Sequence, residues 1–280
     1  MEITMAVIKY SAQILLVFGI GYLLIVTAAF VFQDKLTFIP AQEHIATPAS
    51  VGLEFEDHFY TTSDGVKLHA WYIANPESEF VLQLSHGNAG NISGRAGLAA
   101  MLHEAGFSVF MYDDRGYGKS EGSPGEEGLY KDAIASYQYM TGELEVEPEN
   151  IIQFGRSLGG AVAAYMATKE PAAGLILDSS FTNLKELVKE VYPYLPAFLA
   201  RYEFKTKEYL ADIEIIPVLI LHSSDDNLIG IHHGKKLHEA AGTSGIFVEL
   251  NGGHNDAFLV SEDKYINALK SFREGVETNR

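Results

Sequence analysis

The 280-residue chain contains no cysteine. That excludes disulfides, S-palmitoyl anchoring, thiolate zinc sites and a cysteine nucleophile. Basic residues are scarce as well: 20 Lys and Arg stand against 37 Asp and Glu, for a net charge of −17. Phosphate binding needs a basic face, so nucleic acid is not an expected partner. The same charge works against electrostatic docking on anionic lipid, so membrane attachment would have to come from an anchor. The sequence has no P-loop, no paired metal-ligand histidines and no dinucleotide fingerprint. Gly116-Tyr117-Gly118 lacks the third glycine and the following helix of such a fingerprint. No cofactor and no metal are therefore expected. Internal repeats and low-complexity tracts are absent too.

What the chain does have begins at its N-terminus. No charge occurs from Tyr10 to Gln33, and most of that run is Ile, Leu, Val, Phe, Ala and Gly. It exceeds the roughly 20 helical residues that cross a hydrocarbon core, and a core helix rarely stays apolar all round for so long. Residues 1–35 are read as a retained membrane anchor and 36–280 as a separate folded domain. The alternative is a cleavable signal peptide with Thr27-Ala28-Ala29 as its small-residue site, but the apolar part is too long and the basic n-region too weak. Lys9 precedes the run and Lys35 follows it, so the positive-inside rule barely distinguishes the two sides. The expectation leans to a cytoplasmic N-terminus and an extracytoplasmic domain.

Beyond the anchor, apolar runs alternate with helical stretches. Strands are expected at 80–85, 107–112, 151–154, 174–178, 216–222 and 245–250. Helices are expected near 92–105 and 127–141. Strands that are apolar on both faces, separated by helices, argue a mostly parallel sheet covered by helices. Phe55 to Tyr60 and Lys67 to Ile73 flank Ser63-Asp64-Gly65, which reads as a hairpin preceding that sheet. The segment at about 182–214 is expected to form a small helical cap. Its Leu184, Leu187, Val188, Val191, Tyr192 and Leu195 either line an apolar pocket, face lipid or pack on the sheet, and Pro193 and Pro196 interrupt its helix.

Several motifs carry chemistry. Gly155-Arg156-Ser157-Leu158-Gly159 follows the run Ile151-Ile152-Gln153-Phe154 and opens the small-residue stretch Gly160 to Ala164. That is the strand, sharp turn and helix of a nucleophile elbow. A lone G-x-S-x-G arises by chance in about one chain in ten of this length, so it needs company. Ser85-His86-Gly87-Asn88-Ala89-Gly90-Asn91 ends an earlier strand. Its Asn88 N–H and the Leu158 N–H are candidate oxyanion donors, and His86 and Gly87 are read as a supporting loop rather than a catalytic base. Asp225 and Asp226 lie in the acidic loop after the strand ending at His222, and both are candidates to orient a histidine. His254 sits in the loop Asn251-Gly252-Gly253-His254-Asn255, after the last strand. Asp113, Arg115 and the glycines around them are read as scaffolding, with a direct substrate contact by Arg115 as the lesser alternative.

These motifs, H-G-N-A-G-N, D-x-R-G-Y-G-x-S-x-G and G-R-S-L-G-G, resemble the α/β-hydrolase fold over roughly residues 50 to 275. More narrowly they resemble the single-pass membrane-anchored hydrolases of the Bem46-like group, relatives of the protein depalmitoylases. The chain order Ser157, Asp226, His254 is that of the α/β-hydrolase triad. The group's acid lies in H-G-x-x-D-x-x-V-P, which aligns with His222 to Gly230 and selects Asp226 over Asp225. Ser223 replaces the usual glycine and Gly230 the usual proline; the group's G-G-H-N matches Gly252 to Asn255. The resemblance implies a membrane-anchored serine hydrolase that cleaves esters or thioesters of lipid-like or acylated substrates through an acyl-enzyme. A serine peptidase or amidase of the same fold, or a catalytically silent tethered binding module, are the alternatives.

Overall fold

The computed structural model describes residues 2–213 and 216–278. A long N-terminal helix, α1 (Glu2–Val31), is followed after Phe32 by the short α2 (Gln33–Thr37). The stretch Thr4–Val31 is long and apolar enough to cross a membrane, and its most apolar window is not buried by the rest of the chain. It is a candidate transmembrane span.

The core is an eight-stranded sheet: β1 (Glu56–Thr61), β2 (Lys67–Ile73), β3 (Val81–Ser85), β4 (Ser108–Asp113), β5 (Ile151–Arg156), β6 (Gly174–Asp178), β7 (Val218–Ser223) and β8 (Gly245–Leu250). Their spatial order is β1-β2-β4-β3-β5-β6-β7-β8. The hairpin β1–β2 is antiparallel, with Thr61 opposite Lys67, and β2 pairs antiparallel with β4. All other pairings are parallel. Every residue of β3, β4, β6 and β7 is buried, which is why these strands read as continuous rather than alternating apolar runs.

On one face, α3 (Ala96–Glu104) and α10 (Glu262–Thr278) bury Leu98, Leu102, Tyr265 and Leu269 against Leu82, Leu84 and Ile152. On the other face lie α4 (Glu126–Gly142), α5 (Leu158–Ala167), α7 (Thr206–Asp212) and α8 (Ile231–Ala241). The helix expected at 92–105 splits, with a 3₁₀ turn at Ile92–Arg95 before α3. The Asn91 carboxamide caps that turn by accepting from the Ser93 N–H.

The segment expected as a cap, 182–214, ends at a residue outside those described. Within it α6 (Leu184–Val191) starts at Asn183, whose side chain accepts from the Glu186 N–H at 2.8 Å. A 3₁₀ turn follows at Ala197–Leu199. α7 does not belong to a roof over the site. Its Leu210 is buried with Ala163, Ala164, Leu175 and Leu237 in the layer that covers the sheet. α6 and the turn after it border the space beside Ser157 at the carboxyl ends of the strands.

Candidate active site

Three side chains from three loops meet at the carboxyl edge of the sheet. Ser157 stands between β5 and α5 with φ +54° and ψ −119°, a conformation that non-glycine residues rarely adopt. Its neighbours hold it there. The Ser157 N–H donates to the Asp178 carbonyl at 2.9 Å, and the Ser157 carbonyl accepts from the Ser180 hydroxyl at 3.0 Å. The two glycines of the motif are required by close approach. A Cβ on Gly155 would lie 2.2 Å from the Gly159 carbonyl oxygen, and one on Gly159 would lie 2.0 Å from that of Ser85. No side chain fits at either position, so the elbow is as tight as its sequence implies.

His254 lies after β8. Its Nε2 is 3.1 Å from Ser157 Oγ, and its Nδ1 is 2.8 Å from Asp226 Oδ2. The other Asp226 oxygen accepts from the N–H groups of Leu228 and Ile229, at 2.9 and 2.8 Å. Burial pushes the Asp226 carboxyl up, but the His254 N–H and charge and those two backbone donors outweigh it and hold it below its ordinary value. An ionised Asp226 is acceptor-only, so His254 donates from Nδ1, which leaves Nε2 facing the Ser157 hydroxyl. All three residues are buried. Asp225 is exposed; its backbone N–H donates to the Ser223 hydroxyl at 3.1 Å and its carboxylate accepts from the Gly252 N–H at 3.4 Å.

The His86-Gly87-Asn88 loop passes beside the serine: a Cβ on Gly87 would sit 3.5 Å from Ser157 Cβ. His86 donates from Nδ1 to the Gly87 carbonyl at 2.7 Å and accepts at Nε2 from the Asp114 N–H at 3.2 Å. Burial, reinforced by the charge of Arg95, pushes it down to about 4, so it is neutral at physiological pH. Both ring nitrogens are occupied, and Ser157 pairs with His254 rather than His86. Asn88 is fixed through its carbonyl, which accepts from Tyr117 Oη at 2.8 Å and from the Ile39 N–H at 2.9 Å. Leu158 is the first residue of α5, where the leading N–H groups of a helix have no intrahelical acceptor. Asn88, Ser157 and Leu158 border one cavity.

That cavity holds about 480 Å³, within the range of small-molecule sites. Leu184, Leu187, Val188 and Val191 of α6 form part of its wall, with Leu195 and Leu199 beyond them. Of the three fates open to these side chains in the sequence, the fold combines two, since they border the cavity and some of them also pack inward. Leu184 and Leu187 also pack on the buried cluster beneath. No charged side chain borders the cavity among the described residues.

Arg115 is engaged by acids on both sides. Its Nε and backbone N–H bind Asp132 at 2.9 and 2.8 Å, and its terminal nitrogens bind Asp64 at 3.0 Å. It is scaffolding. One positioning residue escaped the sequence reading. Arg156, between the motif's first glycine and its serine, donates from Nη2 to the His254 carbonyl at 2.6 Å and lies 3.4 Å from Asp178. Asp178 in turn accepts from Tyr265 Oη at 3.0 Å. An arginine beside the nucleophile was the available signal.

The sequence also concealed two groups whose ligand atoms lie within 4.8 Å of one another and can hold a metal ion: His44, His69 and Asp113, and Glu190, His232 and His233. The histidines of both are hydrogen-bonded to carboxylates. His44 Nε2 is 2.8 Å from Asp113, and His232 and His233 are 3.0 and 3.1 Å from Glu190. Neither group contains Ser157, His254 or Asp226.

A mostly parallel sheet opened by a hairpin, with a strained serine at the turn after its fifth strand facing an imidazole backed by a carboxylate, defines the α/β-hydrolase class. A family model described as serine aminopeptidase, S33, matches residues 76–207. The Arabidopsis thaliana α/β hydrolase domain-containing protein WAV2 is 32% identical over 92% of this chain and 94% of its own length. An uncharacterized membrane protein of Saccharomyces cerevisiae is 32% identical over 86% and 88%. The chain belongs to the α/β-hydrolase family. Among solved structures, an esterase from Pyrococcus furiosus superposes with a TM-score of 0.73 at 19% identity, over 85% of this chain and 98% of that one, a likeness of fold.

Proposed function

We propose that this protein is a membrane-anchored serine hydrolase that cleaves carboxylic ester or thioester bonds of acylated, lipid-like substrates. One observation carries the reading. A Ser157 hydroxyl 3.1 Å from His254, with His254 2.8 Å from Asp226, borders an uncharged apolar cavity. His254 takes the hydroxyl proton as Ser157 Oγ bonds to the acyl carbon, and Asp226 stabilises the imidazolium. The N–H groups of Asn88 and Leu158 receive the oxyanion, each worth roughly 3 to 4 kcal/mol of barrier. The tetrahedral intermediate collapses, the bond to the alcohol or thiol breaks, and His254 protonates that leaving group. Water, deprotonated by His254, then attacks the acyl-serine; the bond from the acyl carbon to Ser157 Oγ breaks, the acid leaves and His254 returns the proton to Ser157. The apolar α1, and a relative named as a membrane protein in yeast, support membrane anchoring.

The family model's description favours a second reading, an aminopeptidase. Such an enzyme must hold a substrate ammonium, and among the described residues the cavity wall offers no acidic side chain for it. The test is fluorophosphonate labelling and p-nitrophenyl ester turnover by the full chain in detergent. Both are expected in the wild type and absent in Ser157→Ala. Turnover of amino-acid anilides but not esters would favour the peptidase; labelling that survives Ser157→Ala would reject both.

A further inference from the structure

The cavity beside Ser157 has a wall that belongs to the candidate membrane span. Ile25, Val26, Ala28, Ala29 and Phe30 of α1 border the same space as Ser157 and α6. The helix is fastened there by polar bonds. Tyr22 Oη donates to the Tyr194 carbonyl at 2.9 Å. Gln33 donates to the Leu199 carbonyl at 3.0 Å and accepts from the Arg201 N–H at 2.7 Å. Tyr202 Oη donates to Asp34 at 2.5 Å, and Arg201 Nη2 donates to the Phe30 carbonyl at 3.2 Å. The segment after α6 thus runs alongside the last turns of α1 instead of standing clear of it.

Position along the span decides what this wall meets. About 20 helical residues cross the hydrocarbon core. Counted from Lys9, the last charge before the apolar run, that distance ends near Ala29. The residues of α1 that border the cavity therefore lie at the edge of the hydrocarbon. Leu36, Tyr194 and Leu228, which border the same cavity, leave large apolar surfaces exposed, as does Phe198 in the turn after α6, at 80%. Exposed apolar side chains clustered at the end of a membrane span fit a lipid surface better than water.

We propose that the acyl chain of the substrate enters from the bilayer and lies between α1 and α6, so that the membrane span itself forms one wall of the acyl site. The substrates are then long-chain acyl esters or thioesters resident in the membrane. This rests on the reading of Ser157 as nucleophile and adds where the acyl chain lies and where it comes from. A bulky side chain grown from α1 into the cavity shortens the space for a long chain while leaving the chemistry at Ser157 in place.

The experiment uses the full chain in phosphatidylcholine nanodiscs, with p-nitrophenyl palmitate and p-nitrophenyl butyrate as probes. Ala29→Phe and Val26→Phe each lower the palmitate-to-butyrate ratio of kcat/KM at least tenfold. Leu24→Phe, on the span but away from the cavity, leaves the ratio within twofold of wild type. Fluorophosphonate labelling counts folded sites in each variant. Labelled, active Ala29→Phe and Val26→Phe proteins with a wild-type ratio would overturn the proposal. A wild type that neither labels at Ser157 nor turns over either ester would instead overturn the hydrolase reading beneath it.

Discussion

Replacing Asp226 by asparagine tests the geometry of the site most directly. One Asp226 oxygen accepts two backbone N–H groups, from Leu228 and Ile229 at 2.9 and 2.8 Å. In Asp226→Asn that position must keep the carbonyl oxygen, because an NH₂ there would face two donors. The amide nitrogen is then forced to the other position, 2.8 Å from His254 Nδ1, where it donates. His254 must accept at Nδ1 and so carries its proton on Nε2, aimed at Ser157 Oγ. A protonated Nε2 cannot remove the serine proton. The same inversion of tautomer in serine proteases lowers kcat by about 10⁴-fold, which corresponds to about 5 kcal/mol of barrier. The assay is p-nitrophenyl butyrate turnover by the full chain in detergent, with thermal melting to confirm an intact fold. Asp225→Asn is the control, since Asp225 has no bond to His254, and its kcat stays within threefold of wild type. An Asp226→Asn enzyme within tenfold of wild type, or an Asp225→Asn enzyme equally impaired, would refute the reasoning.

Two further outcomes follow from the surrounding bonds. Arg156→Ala removes the donor to the His254 carbonyl; a hydrogen bond from a charged group is worth about 1.5–3 kcal/mol, so kcat should fall about 10- to 100-fold with KM nearly unchanged, and Arg156→Lys should recover part of the loss. A purely structural role for Arg156 predicts a lowered melting temperature with kcat intact. His86 is held neutral down to about 4 by burial, against an ordinary value of 6.5. Between those values the unfolded chain binds the proton and the folded one does not, so stability falls as pH drops through that window and levels off below it, by about 3 kcal/mol in all. Burial also lowers His222 and His233, so the effect is read as the difference in slope between wild type and His86→Asn in urea titrations from pH 7 to 4; parallel slopes would disprove it.

The fold was legible because its signals are local. Strands buried on both faces must be continuously apolar, and a hairpin around Asp64-Gly65 needs a residue that tolerates positive φ, which Gly65 adopts at +84°. The candidate site was legible in its parts for a related reason. A nucleophile elbow demands glycines where the backbone passes within 2.2 Å of where a side chain would begin, so the demand is written in adjacent letters. The choice between Asp225 and Asp226 was not local. It rested on a resemblance in the sequence and rests on a 2.8 Å contact in the structure.

The amino-acid order by itself determined the alternation of strands and helices, the long apolar N-terminal run, the acidic balance and the loops on which Ser157, Asp226 and His254 lie, because each depends on neighbours a few positions away. Tertiary structure alone decided which imidazole nitrogen faces the serine, that Arg156 grips the His254 backbone, that α7 joins the sheet-covering layer, and that the end of α1 walls the cavity. Those features join residues up to 172 positions apart, as in the bond from Tyr22 to Tyr194. Such distances close only when the whole sheet and its helices pack together, and no short pattern in the chain encodes them.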